Sequence, residues 1–249
     1  MTGGHYSHNA PMDLLERFDE QLRRSVADED GIFAGDDWSA VLWPPADVEK
    51  TVARLRELPG HAEWKLYGHD PADLPERLRA LGLEPEDEEA VMVAEAAALP
   101  ATDVAVRVVD TAELIAAFDE LTERAFGHPS PGVARELARA LAEDEPSMLA
   151  VLAYVDGEPV STGRVDFNAN SEFAGLYGGS TLPKHRGRGF YRATVLRRAE
   201  IARERGYQWL FVDALPTSRP ILEWIGFTQL TTTTPYVFVD PDPAAASSG

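Results

Sequence analysis

Nine residues, Pro183-Lys184-His185-Arg186-Gly187-Arg188-Gly189-Phe190-Tyr191, have the make-up of an anion receptor. Two glycines one residue apart let the main chain turn sharply and approach a ligand with no Cβ in the way. An apolar, turn-rich run at 176–182 enters this segment, and a helical pattern leaves it over 190–205. A helix starting there aims unpaired N–H groups and a partial positive charge back at the loop. Strand, glycine turn and helix N-terminus together suit a phosphate or diphosphate. From Lys184 to Arg205, eight Lys and Arg stand against two Glu, inside a chain of net charge −19. So local a cationic island in so acidic a protein points to one local anionic ligand. The competing reading is a tight turn before a solvated, Arg-rich helix. A mononucleotide loop is disfavoured, because no Gly-Lys-Ser/Thr follows the glycines.

Composition narrows the chemistry further. The chain has no cysteine, so disulfides, thiolate metal sites and a Cys nucleophile are excluded, and no metal is expected. Its net charge argues against nucleic acid or an anionic membrane as partner, since both need a broad basic face. The apolar runs are too short for a membrane span, and the first residues lack a basic stretch followed by an apolar core, so a cytoplasmic protein is expected. At 249 residues the chain has room for one large or two small domains.

The elements that must position the loop follow from periodicity. Leu15, Phe18 and Leu22 predict a helix over 13–26. Strands are expected at 39–43, 63–67 and 90–94, with helices at 47–58, opened by Asp47, and 72–81. A linker at 96–100 follows. Beyond it come a strand (104–109), a helix capped by Asp110 or Thr111, and a second helix (132–142). Strands at 148–155, 159–167 and 173–182 then lead into the loop, with a hairpin turn at Asp156-Gly157. After the long helix come a strand (208–213), a helix ending at Gly226 and a last strand (235–239). The order strand–helix–strand–helix–strand thus occurs twice, Trp64 matching Trp209, Pro71 matching Pro216, and Gly82-Leu83 matching Gly226-Phe227. Chance repetition of a common αβ unit is the alternative.

Arg186-Gly187-Arg188-Gly189-Phe190-Tyr191, with Pro183 ahead of it, resembles motif A of the GCN5-related N-acetyltransferase (GNAT) superfamily, Arg/Gln-x-x-Gly-x-Gly/Ala. It departs at the last position, where Tyr191 replaces Gly or Ala. The element order over about 104–240 is similar to that of the same family. The resemblance implies an α/β (α+β) GNAT fold: a mixed, mostly antiparallel sheet flanked by helices and splayed at the strand before the loop. The chain then divides into a disordered tail (1–11), a smaller αβ subdomain (12–100) that reads as a vestigial, partial GNAT half, a catalytic domain (101–240) and a second tail (241–249). The first half has Pro44, Pro45 and Asp47 where the second has glycines, so it should not bind CoA.

Acetyl-CoA is the implied co-substrate, its diphosphate held by the main chain of Arg186, Gly187, Arg188, Gly189, Phe190 and Tyr191. The family's pantetheine-pairing edge falls on Gly179, Ser180 and Thr181. Gly178-Gly179 suits a bulge better than a plain strand. Ser218 is assigned to the same cofactor site and to the start of the last helix. The family's Tyr acid matches Leu222 and its Glu base matches Ala174-Gly175, so both are missing. Tyr177, Asp213, Ser218 and Glu172 are the substitutes, with Tyr177 and Asp213 as the chosen catalytic candidates. A core aromatic and a turn carboxylate are the competing readings for those two. The implied activity is N-acetylation of a small-molecule or peptide amine by direct attack, by a monomer or homodimer. The alternative is a non-catalytic acyl-CoA sensor.

Overall fold

The computed structural model describes residues 13–35, 37–127 and 131–239. The two tails expected to be disordered, 1–11 and 241–249, lie outside them. A short helix α1 (Leu14–Phe18) runs into a π-helical turn (Asp19–Arg24), followed by strands β1 (Ile32–Ala34) and β2 (Trp38–Val41). Next come α2 (Val48–Glu57), β3 (His61–Tyr67), α3 (Leu74–Ala80), β4 (Leu83–Pro85) and β5 (Glu89–Glu95). The second half holds β6 (Val106–Val108), α4 (Ala112–Phe126), α5 (Pro131–Ala140), β7 (Met148–Val155), β8 (Glu158–Phe167) and β9 (Phe173–Thr181). It closes with α6 (Phe190–Glu204), β10 (Trp209–Ala214), α7 (Arg219–Ile225) and β11 (Thr228–Phe238). None of the described helices is long and apolar enough to cross a membrane.

Local chemistry explains the boundaries. Asp47 accepts from the N–H of Lys50 at 2.9 Å and caps α2. Thr111 does the same for α4 at Leu114, and Gly127 ends that helix at φ 83°. Asp156 and Gly157 both take positive φ, as a two-residue hairpin turn requires.

The eleven strands of the described residues form one sheet, in the order β1-β2-β3-β11-β5-β10-β9-β8-β7-β6, with β4 also on β11. Each half contains a parallel pair joined through a helix: β2 with β3 across α2, and β9 with β10 across α6. The last strands are exchanged. β11 of the second half lies against β3, β5 of the first half lies against β10, and the two pair antiparallel at the centre. Trp64, Val41, Leu55 and Leu78 form a core under α2 and α3, and Leu176, Val195, Leu210 and Leu222 form one under α6 and α7. The opposite face carries α4 and α5 at one end, and α1 packs Phe18 against Tyr67, Phe173 and Phe211.

Four elements depart from expectation. β1 and β4 are three residues each, too short to show a period. β11 starts seven residues before the expected strand at 235, because its threonines sit inside the sheet between β5 and β3 and not at an edge. The first helix turns π-helical where Arg23, 1% exposed, reaches Asp19, His69, Asp70 and the Leu42 carbonyl.

Candidate active site

The glycine turn has the expected backbone. Gly187 and Gly189 take φ 71° and 83°, and a Cβ at either would meet nothing within 4 Å. The dihedrals, not crowding, therefore call for glycine. α6 begins directly after Gly189, whose position offers no side-chain cap, so its first N–H groups face the loop.

Beside the turn the sheet opens. β9 pairs with β10 only from Phe173–Trp209 to Gly175–Phe211, although β9 continues to Thr181 and β10 to Ala214. On the other side of β9, the register to β8 shifts between Thr162 and Arg164, and Gly178 takes φ 59°. The main-chain carbonyls of Arg164 and Tyr177 at this bulge accept from Arg198 Nη1 at 2.8 and 3.2 Å. Gly163 makes room, since a Cβ there would stand 2.5 Å from Arg198 Cζ. Burial lowers the Arg198 pKa to about 10, with Tyr191 and Asp166 opposing.

The cationic island is therefore smaller than the residue count implied. Arg198 is a buried prop. Arg186 Nε donates to the Thr181 carbonyl at 3.1 Å, Arg197 pairs with Glu200, and Arg205 donates to the Pro146 carbonyl. Lys184, Arg188 and Arg192 remain at the turn. Arg188 lies by His185, and Arg192 lies over Trp224. Tyr191 lays its ring on Gly179, where a Cβ would meet its Cε2 at 2.7 Å, so it couples the turn to the bulge. Burial raises the Tyr191 pKa, with Arg198 and Ser218 pulling the other way. Ser180 Oγ is buried with no hydrogen-bond partner among the described residues. Ser218 does not cap α7; its hydroxyl donates to the Leu215 carbonyl at 3.2 Å.

A cleft of about 1780 Å³ runs from the turn across the open face, walled by both halves. β8 contributes Arg164 and Asp166, β9 Tyr177, β10 Asp213, β5 Glu89, and β3 Glu63, Lys65 and Tyr67. Lys65 of the first half is ion-paired to Asp213 of the second, and Asp213 Oδ1 is buried with no hydrogen-bond partner among the described residues. Burial works against the Lys65 ammonium, but Asp213, Tyr67 and Glu63 outweigh it and hold its pKa well above the usual value. Burial, then Asp166 and Asp213, push the Tyr177 hydroxyl far up, so it stays protonated. Burial raises Asp166 to about 6 against the pull of Arg164, and raises Glu89 to about 7 with Asp213 adding to it. Glu63 accepts from Trp38 Nε1 at 3.1 Å and lies by His61.

Tyr177 and Asp213 thus line one cleft. Glu172 does not join them: it bonds Arg17 and Gln21, tying α1 to the start of β9. Glu63, Lys65, Glu89 and Asp166 were not anticipated. Alternation puts Glu63, Lys65 and Tyr67 on one face of a strand, but no sequence signal places that face beside β10.

Residues 114–227 match the model of the Acetyltransferase (GNAT) family. That segment is thus similar to a GNAT domain. The whole chain is similar in structure to a GCN5-related N-acetyltransferase from Kribbella flavida, with a TM-score of 0.68 and 18% identity over 93% of this chain and 96% of that one. It is also similar to a putative GNAT-family acetyltransferase from Novosphingobium aromaticivorans, with a TM-score of 0.60 and 15% identity over 91% and 95% of the two chains. No curated protein matches. The expected mixed sheet flanked by helices is the observed one, and it is shared with these GNAT neighbours. GNAT domains use acetyl-CoA to acetylate amine acceptors. The cleft suits that co-substrate: a glycine turn in open space, an uncapped fifteen-residue helix and an orphaned Ser180 hydroxyl lie along one strand edge.

Proposed function

We propose that this protein transfers acetyl from acetyl-CoA to a primary amine by direct attack within a ternary complex. The observation that carries the reading is the parting of β9 from β10 beside the glycine turn, open to a cleft lined by Tyr177. The amides of Gly187 to Tyr191 would hold the diphosphate, with Arg186 bracing the turn and Ser218 at its flank. The edge at Gly179, Ser180 and Thr181 would pair with the pantetheine as an added strand. An N–H of that edge would also stabilise the oxyanion. Without cysteine no thiol acyl-enzyme can form, which favours direct attack. Tyr177, kept protonated, would supply the proton to the leaving thiolate. Asp213 would act through Lys65, fixing the two halves around the acceptor. On the strands that floor the cleft (β3, β5, β8 and β10), Glu63, Glu89, Asp166 and Asp213 outnumber Lys65 and Arg164, so an acceptor bound against that floor would be cationic.

The exchanged closing strands and the matching parallel pairs support reading the first half as a partial GNAT copy. Its loop at Pro44, Pro45 and Asp47 lacks glycines, so only the second half would hold CoA. A sensor reading is favoured by Leu222, which is 0% exposed where the family has its acidic tyrosine. Release of free thiol from acetyl-CoA over a panel of spermidine, a lysine peptide and an amino sugar separates the two. Turnover on any amine supports the enzyme, and tight binding without turnover supports the sensor.

A further inference from the structure

Glu89 stands where neither half alone would place a carboxylate. β5 leaves the first half and lies between β10 and β11, with Glu89 opposite Thr233 and Val91 opposite Asp213. Alternation sets Glu89 on the cleft face with Asp213, and it lines the cleft. It is half-buried, yet its carboxylate has no hydrogen bond or ion pair with any described residue. The other carboxylates on the strands of this face each have a pairing neighbour: Asp213 is ion-paired to Lys65, Glu63 accepts from Trp38, and Asp166 lies 3.2 Å from Arg164 in an ion pair without a hydrogen bond.

We propose that Glu89 takes the proton of the acceptor amine, so that the first half supplies the base for chemistry centred in the second. This rests on the acetyltransferase reading above. The bound ammonium gives one proton to the Glu89 carboxylate and becomes a neutral amine. Its lone pair attacks the thioester carbon, the C–N bond forms, and the C–S bond breaks with its electron pair leaving on sulfur. Tyr177 gives its proton to that sulfur and recovers one from the new amide nitrogen. Glu89 releases its proton to water, so amide, free thiol and one proton balance the ammonium and thioester consumed.

The groups facing Glu89 are Asp213 on β10, Lys65, Glu63 and Tyr67 on β3, Glu86 ahead of β5, and Tyr177 across the opening. Burial first and Asp213 second hold it near 7, a strength suited to a base at neutral pH.

The test compares wild type, Glu89→Gln and Asp166→Asn with acetyl-CoA and the amine of the panel above that turns over fastest. Wild type should show an acidic limb near pH 7 in kcat/KM. Glu89→Gln should lose that limb and about 10²–10³-fold in kcat, with unchanged acetyl-CoA affinity, and Asp166→Asn should keep the limb. A second readout needs no ligand. The native state binds the Glu89 proton more tightly than the unfolded chain, so wild type loses stability as pH rises from the ordinary glutamate value of 4.5 to about 7. Glu89→Gln lacks this loss, so its melting temperature should gain on wild type between pH 5 and pH 8. A limb retained in Glu89→Gln, a limb lost only in Asp166→Asn, or a melting difference independent of pH would each overturn the assignment. Wild type that binds acetyl-CoA and turns over no amine overturns the acetyltransferase reading and this one with it. Turnover with an unaltered Glu89→Gln profile overturns this one alone.

Discussion

Gly189 lies at φ 83° in open space, so a side chain there disturbs the ligand far more than the fold. Gly189→Asp puts a carboxylate into the diphosphate seat. It should weaken acetyl-CoA binding at least ~100-fold by calorimetry, at a backbone cost of about 1 kcal/mol. Tyr177→Phe removes a hydroxyl that is protonated and unbonded within the described residues. It should lower kcat by about 10- to 100-fold and leave the acetyl-CoA dissociation constant unchanged in the same titration. Both residues could be singled out in the sequence because their signal is local: a glycine pair before a helix, and a tyrosine directly before a Gly-Gly bulge. Glu89 and Lys65 were not, because each matters only through a strand more than a hundred positions away.

Between elements, the opening beside β9 depends on one α6 side chain. Arg198 satisfies two carbonyls that the β8–β9 bulge frees, and Gly163 admits it. Arg198→Leu leaves those carbonyls buried and unpaired and should cost about 2–3 kcal/mol in a denaturant melt. Because the same bulge carries Gly179 and Ser180, acetyl-CoA affinity should fall as well. In the sequence Arg198 looked like one more member of a basic cluster. A charge count does not distinguish a guanidinium facing a ligand from one filling main-chain acceptors. The helices and the strands of the second half were legible because their periods and caps are strong. The short strands β1 and β4 were not, and the full reach of β11 was hidden by a run of threonines without alternation.

For the molecule as a whole, the exchange of β5 and β11 matters more than the linker at Ala96–Ala98. A chain beginning at Ala101 loses β5 and leaves β10 and β11 without a partner between them. It should show no cooperative melt by circular dichroism, and adding the 1–100 segment should restore one. The duplicated order of elements was readable in the sequence, but the exchange was not, since strand order in a sheet is set by contacts with no local signature. The central claim is that the amides after Leu182 grip a diphosphate and that the gap between β9 and β10 receives the pantetheine. A crystal structure with bound CoA tests it most directly. The account predicts diphosphate oxygens about 3 Å from the amides of Gly187 to Tyr191, with the pantetheine along Gly179 to Thr181. A diphosphate held elsewhere on the molecule, with the turn and the gap empty at saturating CoA, would contradict it.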